Sequence, residues 1–146
     1  MKQIIVDANI VVKWFIDEID SIKAKILRDK FVMGEIELLA PSLLYFEVLN
    51  ALKYSKLFNQ DELSDAGESL DNYGFIAVPI KKDIREHMIK VAVEYEISIY
   101  DASYLGITIV KEGILCTADE KIIKKLPMKL KKYVKKLSDI EEVFQN

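Results

Sequence analysis

The sequence has one cysteine, one histidine and one tryptophan, and only five glycines and three prolines among 146 residues. A lone cysteine excludes an intrachain disulfide and suits a reducing cytoplasm. Its setting, Ile114-Leu115-Cys116, marks a buried structural thiol. With His87 as the only histidine, no zinc site can be assembled from His and Cys. His87 follows Lys82-Asp83-Ile84-Arg85-Glu86 in a helical segment and reads as a surface or half-buried residue. Scarce glycine leaves neither a Gly-rich phosphate loop nor a Gly-x-Ser-x-Gly turn for a nucleophilic serine. No apolar stretch approaches the span of a membrane helix, and Asp7 interrupts the first apolar run too early for a secretory segment. Neither sign of charge dominates, with 21 basic and 24 acidic residues and a net charge of -3. That balance argues against a protein that coats nucleic acid, but it suits an enzyme whose acids are gathered in one pocket.

What is present is a hydrophobic half (51% of residues), enough for one domain over residues 1–146 with a real core. Short apolar runs alternate with helix-period segments, the pattern of an α/β protein with a mainly parallel central sheet. Five strands are expected, at Gln3–Val6, Glu37–Ala40, Phe75–Val78, Ile114–Thr117 and Lys132–Leu137. Helices are expected over Asn9–Phe15, Ile19–Gly34, Ser42–Phe58, Asp61–Asn72, Lys81–Glu94, Ile99–Lys111 and Glu120–Lys125, with a short one at Asp139–Phe144. Pro41 suits the first turn of the third helix, and Gly34 and Gly113 suit helix ends.

Against this background four carboxylates are out of place. Asp7 closes the run Ile4-Ile5-Val6, at the strand end where open α/β sheets bind ligands; a plain helix N-cap would also explain it. Glu47 points between Leu43, Leu44, Ala51 and Tyr54 on the apolar side of its helix, where an ionised group is costly unless paired. Lys53 is one candidate partner, and Asn50 lies one turn further on, near enough to share a pocket. Asp101 follows Ser98-Ile99-Tyr100 as the third residue of a capping box, with Ser98 at the N-cap, and a carboxylate there also gains from the helix dipole. In Thr117-Ala118-Asp119-Glu120, Thr117 and Glu120 form a capping box of their own, which leaves Asp119 without a capping duty.

If the fold gathers Asp7, Glu47, Asp101 and Asp119, the resulting acidic pocket suits hard divalent cations with oxygen ligands, Mg²⁺ or Mn²⁺, as one ion or two. Such ions lower the pKa of an attacking water and stabilise a leaving oxygen at a phosphodiester. The segment after Asp119 holds eight lysines, Lys121 to Lys136, and no acid beyond Glu120. Read functionally, Lys121, Lys124 and Lys125 form a rim that steers RNA phosphates; read plainly, the tract is a solvated surface. Trp14, Phe15, Tyr45 and Phe46 suit a core or an interface better than a base-stacking platform.

With these residues placed, the chain resembles a PIN domain, and within that group the VapC toxins of toxin–antitoxin pairs. Ile4-Ile5-Val6-Asp7-Ala8-Asn9 resembles the opening motif, and Pro41 to Leu52, with Glu47, the second. Ser98 to Leu105, with Asp101, resembles the third, and Leu115 to Lys121, with Asp119, the fourth. The resemblance implies a three-layer fold and an Mg²⁺- or Mn²⁺-dependent endoribonuclease. Asp7, Glu47, Asp101 and Asp119 would be its metal ligands, Asn9 would orient the site and Thr117 support it. It also implies a homodimer, a VapB-like antitoxin partner and a cytoplasmic location. Gly106-Ile107 departs from the small apolar run usual after the third motif, a matter of helix packing. A haloacid-dehalogenase-like phosphatase would want Asp where Asn9 stands, and a receiver domain would want a mid-chain Asp that is absent. The non-enzymatic alternative is a PIN-like scaffold that binds RNA or protein without cutting.

Overall fold

Ile4, Ile5 and Val6 are fully shielded from solvent. This is why the first apolar run is continuous rather than alternating, since a parallel strand is covered on both faces. The computed structural model describes residues 1–145. In chain order it contains β1 (Lys2–Val6), α1 (Ala8–Phe15), α2 (Ser21–Val32), β2 (Ile36–Ala40), α3 (Leu43–Ser55), α4 (Gln60–Tyr73) and β3 (Ile76–Ala77). There follow α5 (Lys82–Tyr95), α6 (Ile99–Lys111), β4 (Ile114–Thr117), α7 (Glu120–Lys125), α8 (Met128–Lys131), β5 (Val134–Lys136) and a closing 3₁₀ segment, Leu137–Phe144.

The five strands form one parallel sheet in the order β3-β2-β1-β4-β5, flanked by helices. The chain builds outward from β1 to β3, then returns to the other side of β1 with β4. The switch point therefore falls between β1 and β4, the place where open α/β sheets bind ligands. Val6 stands opposite Cys116, and the Asp7 backbone N–H donates to the Cys116 carbonyl at 3.0 Å. That register brings Asp7 and Thr117 out of the sheet side by side.

Trp14 is buried, donates its indole N–H to the Ala24 carbonyl at 2.8 Å and packs on Tyr73 and Phe75. Cys116 is buried as expected, and burial pushes its thiol up to about 12. No helix of the described residues is long and apolar enough to cross a membrane.

Several local expectations need correction. The strand expected at Phe75–Val78 is only Ile76–Ala77, and the one at Lys132–Leu137 is Val134–Lys136. The turn of α8 was not anticipated, and the expected short helix at Asp139–Phe144 is a 3₁₀ segment beginning at Leu137. Gly34 does take a left-handed conformation after α2 (φ 76°), but after α6 that role falls to Glu112 (φ 51°), not Gly113. Pro41 lies before the Ser42 cap of α3 rather than in its first turn.

The departure at Gly106 has a packing cause. A Cβ there would meet the Ile84 carbonyl oxygen at 2.9 Å and the Met88 backbone nitrogen at 3.2 Å. These are backbone atoms of α5, so neither can rotate away, and glycine is what lets α5 and α6 lie close. Gly106→Ala should therefore lower unfolding free energy by about 1–3 kcal/mol through overpacking, read by chemical denaturation. An unchanged midpoint would mean that α5 shifts at no cost.

Candidate active site

The fold brings the four out-of-place acids together. Asp7, Glu47, Asp101 and Asp119 all line one cleft of about 660 Å³ at the carboxyl edge of the sheet, with Asn9 among the other lining residues. Each arrives on a different element: Asp7 from the end of β1, Glu47 from within α3, Asp101 from the first turn of α6, Asp119 from the end of β4. Asn50 is exposed and does not line this cleft, but it shares with Glu47 the lining of a neighbouring groove between α3 and α4. The hydrogen-bond pattern at each acid separates structural duty from availability.

Asp7 occupies the N-cap position of α1 but makes no side-chain cap bond, which removes the plain helix-capping explanation. Its Oδ2 instead accepts from the Thr117 hydroxyl at 2.8 Å and from Asn9 Nδ2 at 3.2 Å. Asn9 Oδ1 in turn accepts from the Ala118 backbone N–H at 3.0 Å, tying the start of α1 to the end of β4. Both residues expected to support the site therefore touch Asp7 directly.

Glu47 is half-buried, and its Oε1 accepts from the Tyr104 hydroxyl at 2.7 Å. Neither Lys53 nor any other base pairs with it among the described residues. Tyr104 is the functional contact that the sequence reading did not single out. Its signal was its place three residues after Asp101, which puts both on one side of α6.

Asp119 corrects the capping assignment. It is itself the N-cap of α7, its Oδ1 accepting from the Lys121 and Ile122 backbone N–H groups at 2.9 and 3.3 Å. Thr117 does not cap α7 with its side chain, because its hydroxyl donates to Asp7 while accepting from the Asp119 N–H at 3.0 Å. At Asp101 the expected Ser98 cap is present, Ser98 Oγ accepting from the Asp101 N–H at 3.0 Å.

Three of the acids thus share one arrangement. One carboxylate oxygen of Asp7, Glu47 and Asp119 is held by protein donors, while Asp7 Oδ1, Glu47 Oε2 and Asp119 Oδ2 receive no donor from the described residues. No fully buried side-chain oxygen among those residues lacks a partner, so these open oxygens are accessible to solvent, and all three residues line the cleft. Among the described residues Lys13 is the one base that lines the cleft, and its ammonium is held by the Ile19 carbonyl (2.8 Å) and by Glu18 (3.8 Å), a fifth acid of the same lining.

Unneutralised acids in a shielded cleft disfavour their own ionisation. Burial, then the charges of Glu47 and Asp101, push Asp7 up to about 7 against the pull of the Thr117 hydroxyl. Burial, then the charge of Asp101, raises Glu47 against the Tyr104 bond. Asp101 is raised by burial and by Asp119, opposed by the Ser98 hydroxyl and Lys125.

These donors suit a hard divalent cation: oxygen only, open towards the cleft and short of positive charge. Among the described residues no three are near enough to grip one ion directly. Mg²⁺ commonly binds through one or two carboxylates, with waters completing its shell.

A second cleft of about 660 Å³ adjoins the first, sharing Lys13, Ala118 and Asp119. Lys121 and Lys124 line it, whereas Lys125 donates to the Glu96 carbonyl at 3.0 Å. Lys135 and Lys136 are paired with Glu142 and Glu120. The lysine tract is therefore divided: Lys121, Lys124 and Lys136 line the cleft that adjoins the acids, and Lys129 and Lys132 do not.

The raised Asp7 has a consequence for stability. Between its ordinary value of 3.8 and about 7, the native state keeps a proton that the unfolded chain has released. Metal-free protein should therefore lose stability as pH rises through that window and level off above it. Asp7→Asn retains an acceptor for Thr117 and Asn9, so it should flatten that slope. It should also raise stability at about pH 8 by roughly 1–3 kcal/mol, read as a higher Tm. A lower Tm for the variant at that pH would show that the charge is already compensated.

Residues 4–127 match the family model of the PIN domain, a span that includes all four acids. No curated protein sequence matches the chain significantly. Among solved structures, PAE2754 from Pyrobaculum aerophilum is similar with a TM-score of 0.67 and 21% identity, over 99% of this chain and 97% of that one. A toxin–antitoxin complex from Klebsiella pneumoniae gives 0.63 and 18%, over 91% and 96%. FitAcB from Neisseria gonorrhoeae gives 0.61 and 14%, over 84% and 91%. At such identities these structures speak to the fold, and the family follows from the sequence match together with it: this chain belongs to the PIN domain family.

Proposed function

We propose that this chain is a single-domain, divalent-metal-dependent endoribonuclease, the toxin of a VapBC-type pair, that works in the cytoplasm as a homodimer. The observation that carries the reading is the cleft at the β1–β4 switch point. There, carboxylates from four separate elements converge without a cation to neutralise them. A purely structural role offers no reason to concentrate mutually repelling acids at that edge. The toxin–antitoxin reading is supported by two similar structures, one described as a toxin–antitoxin complex and one as FitAB bound to a DNA fragment.

Asp7, Glu47, Asp101 and Asp119 would hold Mg²⁺ or Mn²⁺, one ion or two. When bound, such ions lower the pKa of an attacking water and neutralise charge on the leaving oxygen. The chain's own contribution is orientation. Thr117 and Asn9 fix the Asp7 carboxyl so that Oδ1 faces the cleft, and Asn9 locks the β4 end against α1. Tyr104 holds Glu47 by one oxygen, and the α7 N-terminus does the same for Asp119. Lys121 and Lys124, bordering the acids without closing them off, supply positive charge for the flanking phosphates of the RNA,. No side chain is required as a nucleophile.

Purified protein should cut total RNA into discrete fragments with Mg²⁺ or Mn²⁺. EDTA, Asp7→Asn or Asp101→Asn should each reduce the rate by at least about 100-fold, with the variants remaining folded by circular dichroism. A folded, antitoxin-free protein that cuts nothing would favour the non-catalytic scaffold instead. Tyr104→Phe removes only the hydroxyl that holds Glu47. It should weaken the apparent Mn²⁺ affinity for cleavage by about 10-fold or more, and saturating Mn²⁺ should restore most of the rate. A rate loss that no metal concentration repairs would make Tyr104 a packing residue only.

A further inference from the structure

The fold leaves one group of cations unused by the acid site. Lys129 and Lys132, from the second part of the lysine tract, meet Lys90 of α5 around a cleft of about 260 Å³. This cleft shares no lining residue with the acidic one. None of these three lysines forms an ion pair among the described residues. Among the described residues Glu94 is the only acid that lines the cleft. In a chain of net charge -3, these exposed and unpaired lysines make a local positive patch open to an anion,.

The floor between the lysines is apolar and aromatic. Tyr95 and Tyr133, both half-buried, line it together with Ile109. The Lys132 ammonium lies 5.1 Å from the centre of the Tyr133 ring. A cationic rim over aromatic faces is the arrangement that binds single-stranded nucleic acid, the base against a ring and the phosphates on the cations. Its size also discriminates. A peptide helix needs a longer groove, such as the one of about 1020 Å³ between α3 and α4, whereas this cleft of about 260 Å³ is on the scale of a single nucleotide.

We propose that the cleft between α5 and α8 is a second nucleotide-binding site, which takes one unpaired nucleotide of single-stranded RNA remote from the acids. The inference rests on the ribonuclease reading for its choice of RNA. Its consequence is that long or structured substrates are held at two points, so the cleft contributes to which RNA is cut.

The test is binding of a fluorescently labelled single-stranded oligouridylate, followed by anisotropy in EDTA with Asp7→Asn protein so that no cleavage intervenes. Lys90→Glu/Lys129→Glu/Lys132→Glu should lower affinity by about tenfold or more. It should also reduce the slope of log affinity against log salt by about one, the loss of contact with the one or two phosphates that flank a single nucleotide. All three positions are exposed, so the fold should survive. Lys56→Glu/Lys81→Glu/Lys111→Glu makes the same charge change at exposed positions that do not line the cleft, and it should have a much smaller effect. Tyr133→Leu should weaken binding without changing the salt slope, and polyglutamate should compete poorly. Equal losses in the two triple variants, no binding by the parent protein, or competition by polyglutamate as strong as by RNA would each overturn the proposal. Asp7-dependent cleavage with an unimpaired cleft variant would overturn it while leaving the nuclease reading intact. Cleft-dependent binding without cleavage by the unsubstituted protein would do the reverse.

Discussion

A carboxylate set at the end of a fully buried strand, in a cleft with no free cation, is the interaction on which the rest of the structure turns. Asp7 follows three residues with no solvent exposure and is itself only 8% exposed. It is in place because the β1–β4 register delivers it there, and it is tolerated because Thr117 and Asn9 both donate to one of its oxygens. Those two donors join segments more than 100 residues apart in sequence. The same contacts therefore close the fold at its switch point and orient the site. Stability and function draw on one hydrogen-bond network, and they pull against each other at the charge of Asp7 itself.

The remaining acids are managed in a similar way. Tyr104 and the α7 N-terminus each hold one oxygen and leave the other to the cleft. The cations nearest the acids have other partners: Lys13 holds Glu18 at the edge of the cleft, Lys125 donates to the Glu96 carbonyl while its charge still lowers Asp101, and Lys136 pairs with Glu120. An inward-turned lysine would stabilise the metal-free protein by pairing with an acid, and it would also fill the place of an incoming ion.

Much of this was legible because burial leaves a local mark. Asp7, Glu47, Asp101 and Asp119 each interrupt or border an apolar pattern, and a parallel sheet writes its core strands as continuous apolar runs. What was not legible depended on distant partners. Thr117-Ala118-Asp119-Glu120 satisfies the letters of a capping box, but Thr117 is drawn to Asp7 across the sheet, so the cap passes to Asp119. Tyr104 read as one more core aromatic, since nothing local announces a bond to Glu47, 57 residues earlier. Asn50 was legible in part: helical spacing placed it near Glu47, and the two do share a groove between α3 and α4, but Asn50 does not line the cleft of the other acids. In α8, four residues rich in lysine carry too little periodicity to mark a helix.

The central claim is that the Asp7 carboxyl, raised to about 7 by its surroundings, releases its proton to the buffer when a divalent ion binds. Calorimetric titration of the metal-free protein with Mn²⁺ at about pH 6, in buffers of different protonation enthalpy, tests it directly. At that pH Asp7, with its pKa of about 7, must release its proton as the ion binds. The apparent heat should therefore depend on the buffer, and Asp7→Asn should remove that dependence. Binding with a heat independent of the buffer, or no binding at all, would contradict the assignment of these acids to a metal site.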